Sequence, residues 1–394
     1  MSQGKNTMRL LWVIAAIVII LFGFSVLYQG QALINGQHDI SGKDDVFEHY
    51  PPDNDEIVFV SAGEPDFIDW ANLSNPIMIR EDCMLKDQSV VYHNGWFYIF
   101  TSHRFEADYT GDRSTYIYKT EDFKEYEYIP LVYGDSPDIS KIGDTYYMVF
   151  QVDDPNSKNE RHKRLHYMSS VDAENWTDHG EIYPGLSRGR NIDGALAKEG
   201  DYYYLGYKKN QKFYITRSTN NKLDGSWLKP IQARPGERQS LLDYIPLYYT
   251  FIGGWAENYQ FIKIDGRWHL VATGYVGTPL EKIKHFIFGY TSGHETFIYD
   301  MEEGKGGDNF EDWKLWLNKT PVVVPDEGWN SVMRSNSGYL CDWREHDGYF
   351  YLFYAGAADS KSFTGRGHGK IGIIRSKDLR NWELPGSVSQ GRFS

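Results

Sequence analysis

The sequence is poor in the features that would place it in several common classes. Cys83 and Cys341 are its only cysteines, too few for a disulfide scaffold, although one bond between them is open in an oxidising compartment. Asp and Glu outnumber Lys and Arg by 54 to 41, yet no block of like charge concentrates the excess. Phosphate binding needs clustered basic residues, so nucleic acid is not an expected partner. Long Ala/Leu/Glu/Lys stretches are missing, which argues against a helical fold. There is no H-E-x-x-H and no paired C-x-x-C, so no catalytic metal is indicated. The Gly-rich run GRGHG at 365–369 has no Lys-Ser/Thr after it and is not read as a phosphate loop.

Only one long hydrophobic run is present. Residues 10–27, LLWVIAAIVIILFGFSVL, carry no charge and follow Lys5 and Arg9. Such a run reaches the lower limit for crossing about 30 Å of hydrocarbon and exceeds the core of a cleavable signal. A membrane anchor within residues 1–28 is expected, with cleavage after Ala32 as the competing reading. In both cases the rest of the chain is exported. Residues 29–69 are polar, broken by Pro51 and Pro52, and read as a stalk.

What the chain has in plenty is aromatic side chains, with 30 Tyr, 21 Phe and 12 Trp, and these fall into a repeat. DQSVVYHNGWFYIFTS from Asp87 is a strand, a tight turn and a strand. SPDISKIGDTYYMVFQ from Ser136, IDGALAKEGDYYYLGYK from Ile192, AENYQFIKIDGRWHLVATG from Ala256 and GYLCDWREHDGYFYLFYAG from Gly338 repeat it. A further strand and an aromatic-ended turn follow each, as in LHYMSSVDAENWTD; in the fourth copy this half is longer and ends NFEDWKLW. Five copies of a four-stranded unit predict an all-β, five-bladed β-propeller over 70–386, with a short tail at 387–394.

Equivalent positions of successive inner strands converge at one mouth of a propeller's channel. Asp87 and Asp193 each stand eleven residues before the aligned tyrosines Tyr98 and Tyr204, and Glu257 stands twelve before His269. Asp138 offers a shifted acid in the second copy, and the fifth has Leu340 at the place, with Asp342 two residues further on. Acids gathered in a cleft repel one another, so at least one holds its proton near neutrality. That separation of roles suits glycoside hydrolysis, where one carboxyl protonates the leaving oxygen and another activates water.

On these motifs the chain resembles the five-bladed propeller glycosidases of glycoside hydrolase family 43. The resemblance implies that Asp87 of DQSVVYHNGWFYIF is the general base, Asp193 of NIDGALAKEGDYYYL the residue that tunes the acid, and Glu257 of WAENYQFIKIDGRWHL the general acid. It places Asp138 beside the sugar and allows a structural Ca²⁺ in the channel, with no cofactor required. Gln88 and Asn258-Tyr259 depart from the family pattern of Pro after the base and Gly-Pro after the acid. The related family 117 uses a histidine as acid, which makes His103, His285 and His368 rival donors. His103, Arg104, Arg190, Arg334 and His368 are the further residues expected to hold a substrate, alongside Arg188.

These features predict an exported glycosidase acting on plant or algal poly- and oligosaccharides by an inverting mechanism. A non-catalytic carbohydrate-binding propeller and a phosphorolytic propeller enzyme are the alternatives. Cys83 and Cys341, in the first and fifth inner hairpins, are candidates for a disulfide clasp closing the ring.

Overall fold

The computed structural model describes residues 67–104, 113–159, 161–209, 212–235, 256–275, 294–300, 315–316, 318–358 and 369–386. Among these no helix is long and apolar enough to cross a membrane. The apolar run at 10–27, the stalk up to residue 66 and the tail at 387–394 lie outside the described residues.

Five antiparallel sheets follow one another along the chain, and each is a propeller blade. Their inner strands are Met84–His93, Asp135–Ile142, Asn191–Glu199, Ala256–Ile264 and Met333–Asp342 in blades I to V. Each inner strand turns back into a second strand: Trp96–Arg104, Thr145–Asp153, Tyr202–Lys209, Arg267–Tyr275 and Phe350–Ala357. The turns follow from the residues available. Asn94-Gly95 and Asp265-Gly266 both take positive φ, as a type I′ hairpin requires, while Gly143 and Gly200 alone do so in blades II and III. Blade V has no such pair and makes a short helical turn, Arg344–Asp347, ended by Gly348 at φ 83°.

The second strands carry most of the aromatics, and burial on both faces explains their near-continuous apolar character. Five separate apolar clusters form, one between each pair of adjacent blades. Phe100 and Ile117 of blade I pack with Met148 and Phe150 of blade II, and Phe97 and Ile99 pack with Tyr351 and Phe353 of blade V. The aromatic excess of the sequence is therefore largely the cement between blades.

Blade V closes the ring. Its third strand, Lys370–Ser376, pairs with Trp382–Glu383 at one end and with Met78–Ile79 from the start of the domain at the other. Just before that early strand, the Asn75 side chain acts as a piece of sheet. Its Nδ2 donates to the Ile373 carbonyl at 2.9 Å and its Oδ1 accepts from the Ile373 amide at 2.9 Å. Blade IV differs from the sequence expectation. Its fourth strand is Asn318–Pro321, while Leu315–Trp316, the end of NFEDWKLW, pairs instead with Arg234–Pro235.

No clasp joins the two cysteines, which are both free and buried. Inner strands of neighbouring blades run in the same direction, with Cys83 just before one begins and Cys341 near the end of the other. At about 3.3 Å per residue this separates them along the channel by far more than the roughly 7 Å a disulfide tolerates between Cα atoms.

Asn75→Ala removes both partners of a buried strand residue. It is expected to lower unfolding free energy by about 2–3 kcal/mol in urea titration, with Asn75→Asp recovering little because a carboxylate cannot donate to the Ile373 carbonyl.

Candidate active site

Every inner strand is interrupted near its start. The ladder slips between Lys86 and Ser89, Asp135 and Asp138, Ile192 and Ala195, Glu257 and Gln260, and Asn336 and Tyr339. The first inserted residue is left-handed each time: Asp87 (φ 53°), Ser136 (54°), Asp193 (53°), Asn258 (54°) and Ser337 (52°). Short polar residues suit such a place, since Asp and Asn tolerate positive φ better than most and a bulge re-aims its side chain.

This register corrects the one read from sequence. Asp87 and Asp193 do share a position, but Asn258 holds it in blade IV and Glu257 stands one residue earlier. Ser136 holds it in blade II rather than Asp138, and Ser337 in blade V rather than Leu340 or Asp342.

The five bulges meet around Asp87. Its Oδ2 accepts from Ser102 Oγ at 3.2 Å and Ser136 Oγ at 3.1 Å, and lies 3.3 Å from Lys86 Nζ. Its Oδ1 accepts from Asn258 Nδ2 at 2.7 Å and Ser337 Oγ at 2.9 Å. Gln88, where the family pattern has proline, donates to the Ser337 and Phe353 carbonyls and so ties blade I to blade V. Beside Asp87 and Asp193 remains a space of about 20 Å³, enough for about one water.

On the other side of this space Asp193, Lys208 and Glu257 form a second cluster. Lys208, from the second strand of blade III, places Nζ 2.5 Å from Glu257 Oε2 and 4.0 Å from Asp193 Oδ2. His294, from the third strand of blade IV, sets Nε2 3.8 Å from Glu257 Oε1. Burial pushes both carboxyls up, but their neighbours divide them. Glu257 gains more from Lys208 and His294 than burial costs it and is held well below the usual carboxylate range. For Asp193 burial dominates, with Lys208 opposing it and the Glu257 and Asp87 charges adding to it, and the carboxyl is pushed up to about 6. Below pH about 6 the proton of this pair therefore sits on Asp193, whereas the sequence reading places it on Glu257.

Lys208 and His294 were not singled out by the sequence. Lys208 sits in YYYLGYKKN, which reads as blade core, and His294 follows the long fourth-blade insertion. Of the other expected site residues, Asp138 lies two residues beyond its bulge and lines the one-water space. Its Oδ2 meets no donor, and burial pushes its carboxyl well above the usual range. His103 is fully buried, stacked on Tyr116, with its nitrogens facing Cys83 Sγ at 3.7 Å and Tyr118 Oη at 2.7 Å; it is neither at the mouth nor free to donate there. Arg190 is exposed, and Arg334 pairs loosely with Asp326 at 3.6 Å. The Arg104 side chain, His285 and His368 lie outside the described residues. Among the described residues no group of three or more His, Cys, Asp or Glu is placed to hold a metal ion.

A carboxyl raised from 3.8 to about 6 on folding binds more protons in the native state, so its contribution is full below pH 3.8 and is lost as pH rises through 6. Asp193→Asn removes this loss. The variant should gain up to about 3 kcal/mol over the parent at pH 7.5 and little at pH 4, read by chemical denaturation at the two values.

No protein-family model matches the chain. A curated β-xylosidase of Formosa agariphila is 29% identical over 122 residues, which are 27% of this chain; the match spans only 19% of that protein's length. Among solved structures, a thermostable family-43 glycoside hydrolase superposes with a TM-score of 0.54 at 14% identity, covering 80% of this chain and 96% of that one. An α-L-arabinofuranosidase from Lactobacillus brevis gives 0.54 at 13%, covering 81% and 99%. A structure titled for the GH130 family of mannoside phosphorylases and hydrolases gives 0.53 at 12%, covering 80% and 96%. At these identities the likeness is one of fold, and the chain shares the five-bladed propeller of these carbohydrate-active enzymes.

Proposed function

We propose that the protein is a glycosidase that hydrolyses plant or algal poly- and oligosaccharides, exported and tethered to a membrane by residues 10–27. The observation that carries this reading is the meeting of Asp87, Asp193 and Glu257 at one mouth of the channel, in surroundings that give Asp193 and Glu257 different proton affinities. A pair of carboxyls held in opposite protonation states is what acid/base cleavage of a glycosidic bond uses. The partial likeness to a β-xylosidase, and the fold shared with a family-43 hydrolase and an arabinofuranosidase, support a pentose-containing substrate.

Asp87 borders the one-water space and is the base that orients the attacking water. Glu257 is the acid that meets the glycosidic oxygen. Its side chain is 19% exposed against 3% for Asp87 and 6% for Asp193, so it is the carboxyl a substrate reaches first. Water and leaving group on opposite faces of the sugar give inversion.

Glu257→Gln keeps an acceptor for Lys208 and removes the donor. It should cut kcat/KM on aryl β-xylosides or α-L-arabinofuranosides by about 10²–10⁴-fold with little change in Tm; near-parental activity would sink the assignment. Asp87→Asn is expected to lose activity and stability together, because its new NH₂ meets the donors that Asp87 now accepts from. Proton NMR of the first sugar released should show the anomer opposite to that of the substrate.

A further inference from the structure

Adjacent blades are stitched near the bulges by side-chain oxygens of the second strands. Ser102 Oγ accepts from the Ser136 amide at 2.7 Å, Gln151 Oε1 from the Asp193 amide at 3.0 Å, and Thr273 Oγ1 from the Ser337 amide at 2.7 Å. Each accepting residue lies opposite the residue just before its own bulge: Lys86, Asp135 and Glu257. Lys208 occupies the same register in blade III, opposite Ile192, and an ammonium accepts nothing. Where blades I, II and IV place a neutral stitch, and blade V has Ala355, blade III places a cation, with a side chain 1% exposed, between Glu257 and Asp193.

Burying an ammonium is expensive, and a neutral acceptor would join the blades without that cost. What a lysine adds is a proton that can leave and return in a desolvated site, which an arginine in its place could not offer. Lys208 touches the carboxylate that faces the substrate and lies within 4.0 Å of the carboxyl that holds the proton.

We propose that Lys208 is a positioning residue that relays the catalytic proton, taking one from Asp193 as it gives one to Glu257. This rests on the glycosidase reading. Below pH about 6 the resting site has Asp193 as the acid, Lys208 as the ammonium and Glu257 as the carboxylate. When substrate covers Glu257 and excludes water, a Lys208 N–H bond breaks and a Glu257 Oε2–H bond forms. The Asp193 O–H bond then breaks and restores the ammonium. One proton has moved from Asp193 to Glu257 and the total charge is unchanged. Glu257 passes that proton to the glycosidic oxygen as the C–O bond breaks, while water adds to the anomeric carbon and gives its proton to Asp87. Release of that proton to solvent and uptake of one by Asp193 reset the site. Among the described residues the other charged groups facing this triad are Asp87, whose charge acts on Asp193, His294 on Glu257, and Lys86, which lies over Asp87 and acts on Asp193 and Glu257 as well.

Lys208→Arg and Lys208→Gln in the full chain test the relay. Arginine keeps the ion pair but not the transfer, so kcat on an aryl glycoside should fall about 100-fold or more with KM little changed. Parental kcat in Lys208→Arg overturns the proposal. Carboxyl ¹³C NMR of the free protein gives a reading independent of turnover. The parent should show a midpoint near 6 that vanishes in Asp193→Asn. Lys208→Gln should add a second titrating carboxyl, assigned to Glu257 by its loss in Lys208→Gln/Glu257→Gln. If the parent hydrolyses no glycoside, the functional reading falls. An unchanged single midpoint in Lys208→Gln overturns the relay in either case.

Discussion

One inserted residue per inner strand, forced to positive φ, is the constraint on which the rest of this molecule depends. A regular strand would alternate its side chains between the two neighbouring blades. The insertion instead turns one side chain of each blade toward the others at the mouth, and only short polar residues occupy the place. Asp87 then becomes the knot of the ring, accepting from residues of blades I, II, IV and V through two oxygens. The chemistry of the mouth and the closure of the fold are therefore one set of bonds, and a change at Asp87 acts on both.

The electrostatics follow from how unequally the five bulges share their donors. Asp87 receives hydroxyls, an amide and Lys86, and Glu257 receives Lys208 at hydrogen-bond distance with His294 behind it. Asp193 is left with Lys208 at 4.0 Å, two negative neighbours and nearly full burial. In a low-dielectric site such differences decide where a single proton resides. Between Asp193 and Glu257, below pH about 6, it resides on Asp193, the less supported of the two.

The five-bladed architecture was legible because hairpin turns and aromatic second strands are short-range signals: Asn94-Gly95, Gly143, Gly200 and Asp265-Gly266 each announce a turn locally. Asp87, Asp193 and Glu257 were legible through their distance to those hairpins. The bulges were not, since an extra residue inside a strand buried on both faces leaves no break in its apolar pattern. That hidden insertion misplaced Asp138 against Ser136 and hid the offset between Glu257 and Asn258. Lys208 was invisible for a related reason. Its neighbours Tyr204, Leu205 and Tyr207 are core, and nothing local distinguishes a lysine at a strand end from a solvated one. His103 shows the converse error, a histidine after a hairpin whose second strand carried it inward to Cys83 and Tyr118.

A more exposed row precedes three of the bulges. Three residues before them stand Tyr133, the last residue of blade I's fourth strand, Arg190, just before the inner strand of blade III, and Arg334 in blade V, all reached by solvent, and Tyr133 is 50% exposed. The bulge residues that follow them are buried, and Ser136 and Ser337 are bound to Asp87. In the outer row Tyr133 donates to the half-exposed Asp153 and Arg334 lies against the exposed Asp326. Substitutions are thus cheaper in that exposed row than in the bulge row, whose Asp87, Ser136, Asn258 and Ser337 hold the blades to one another.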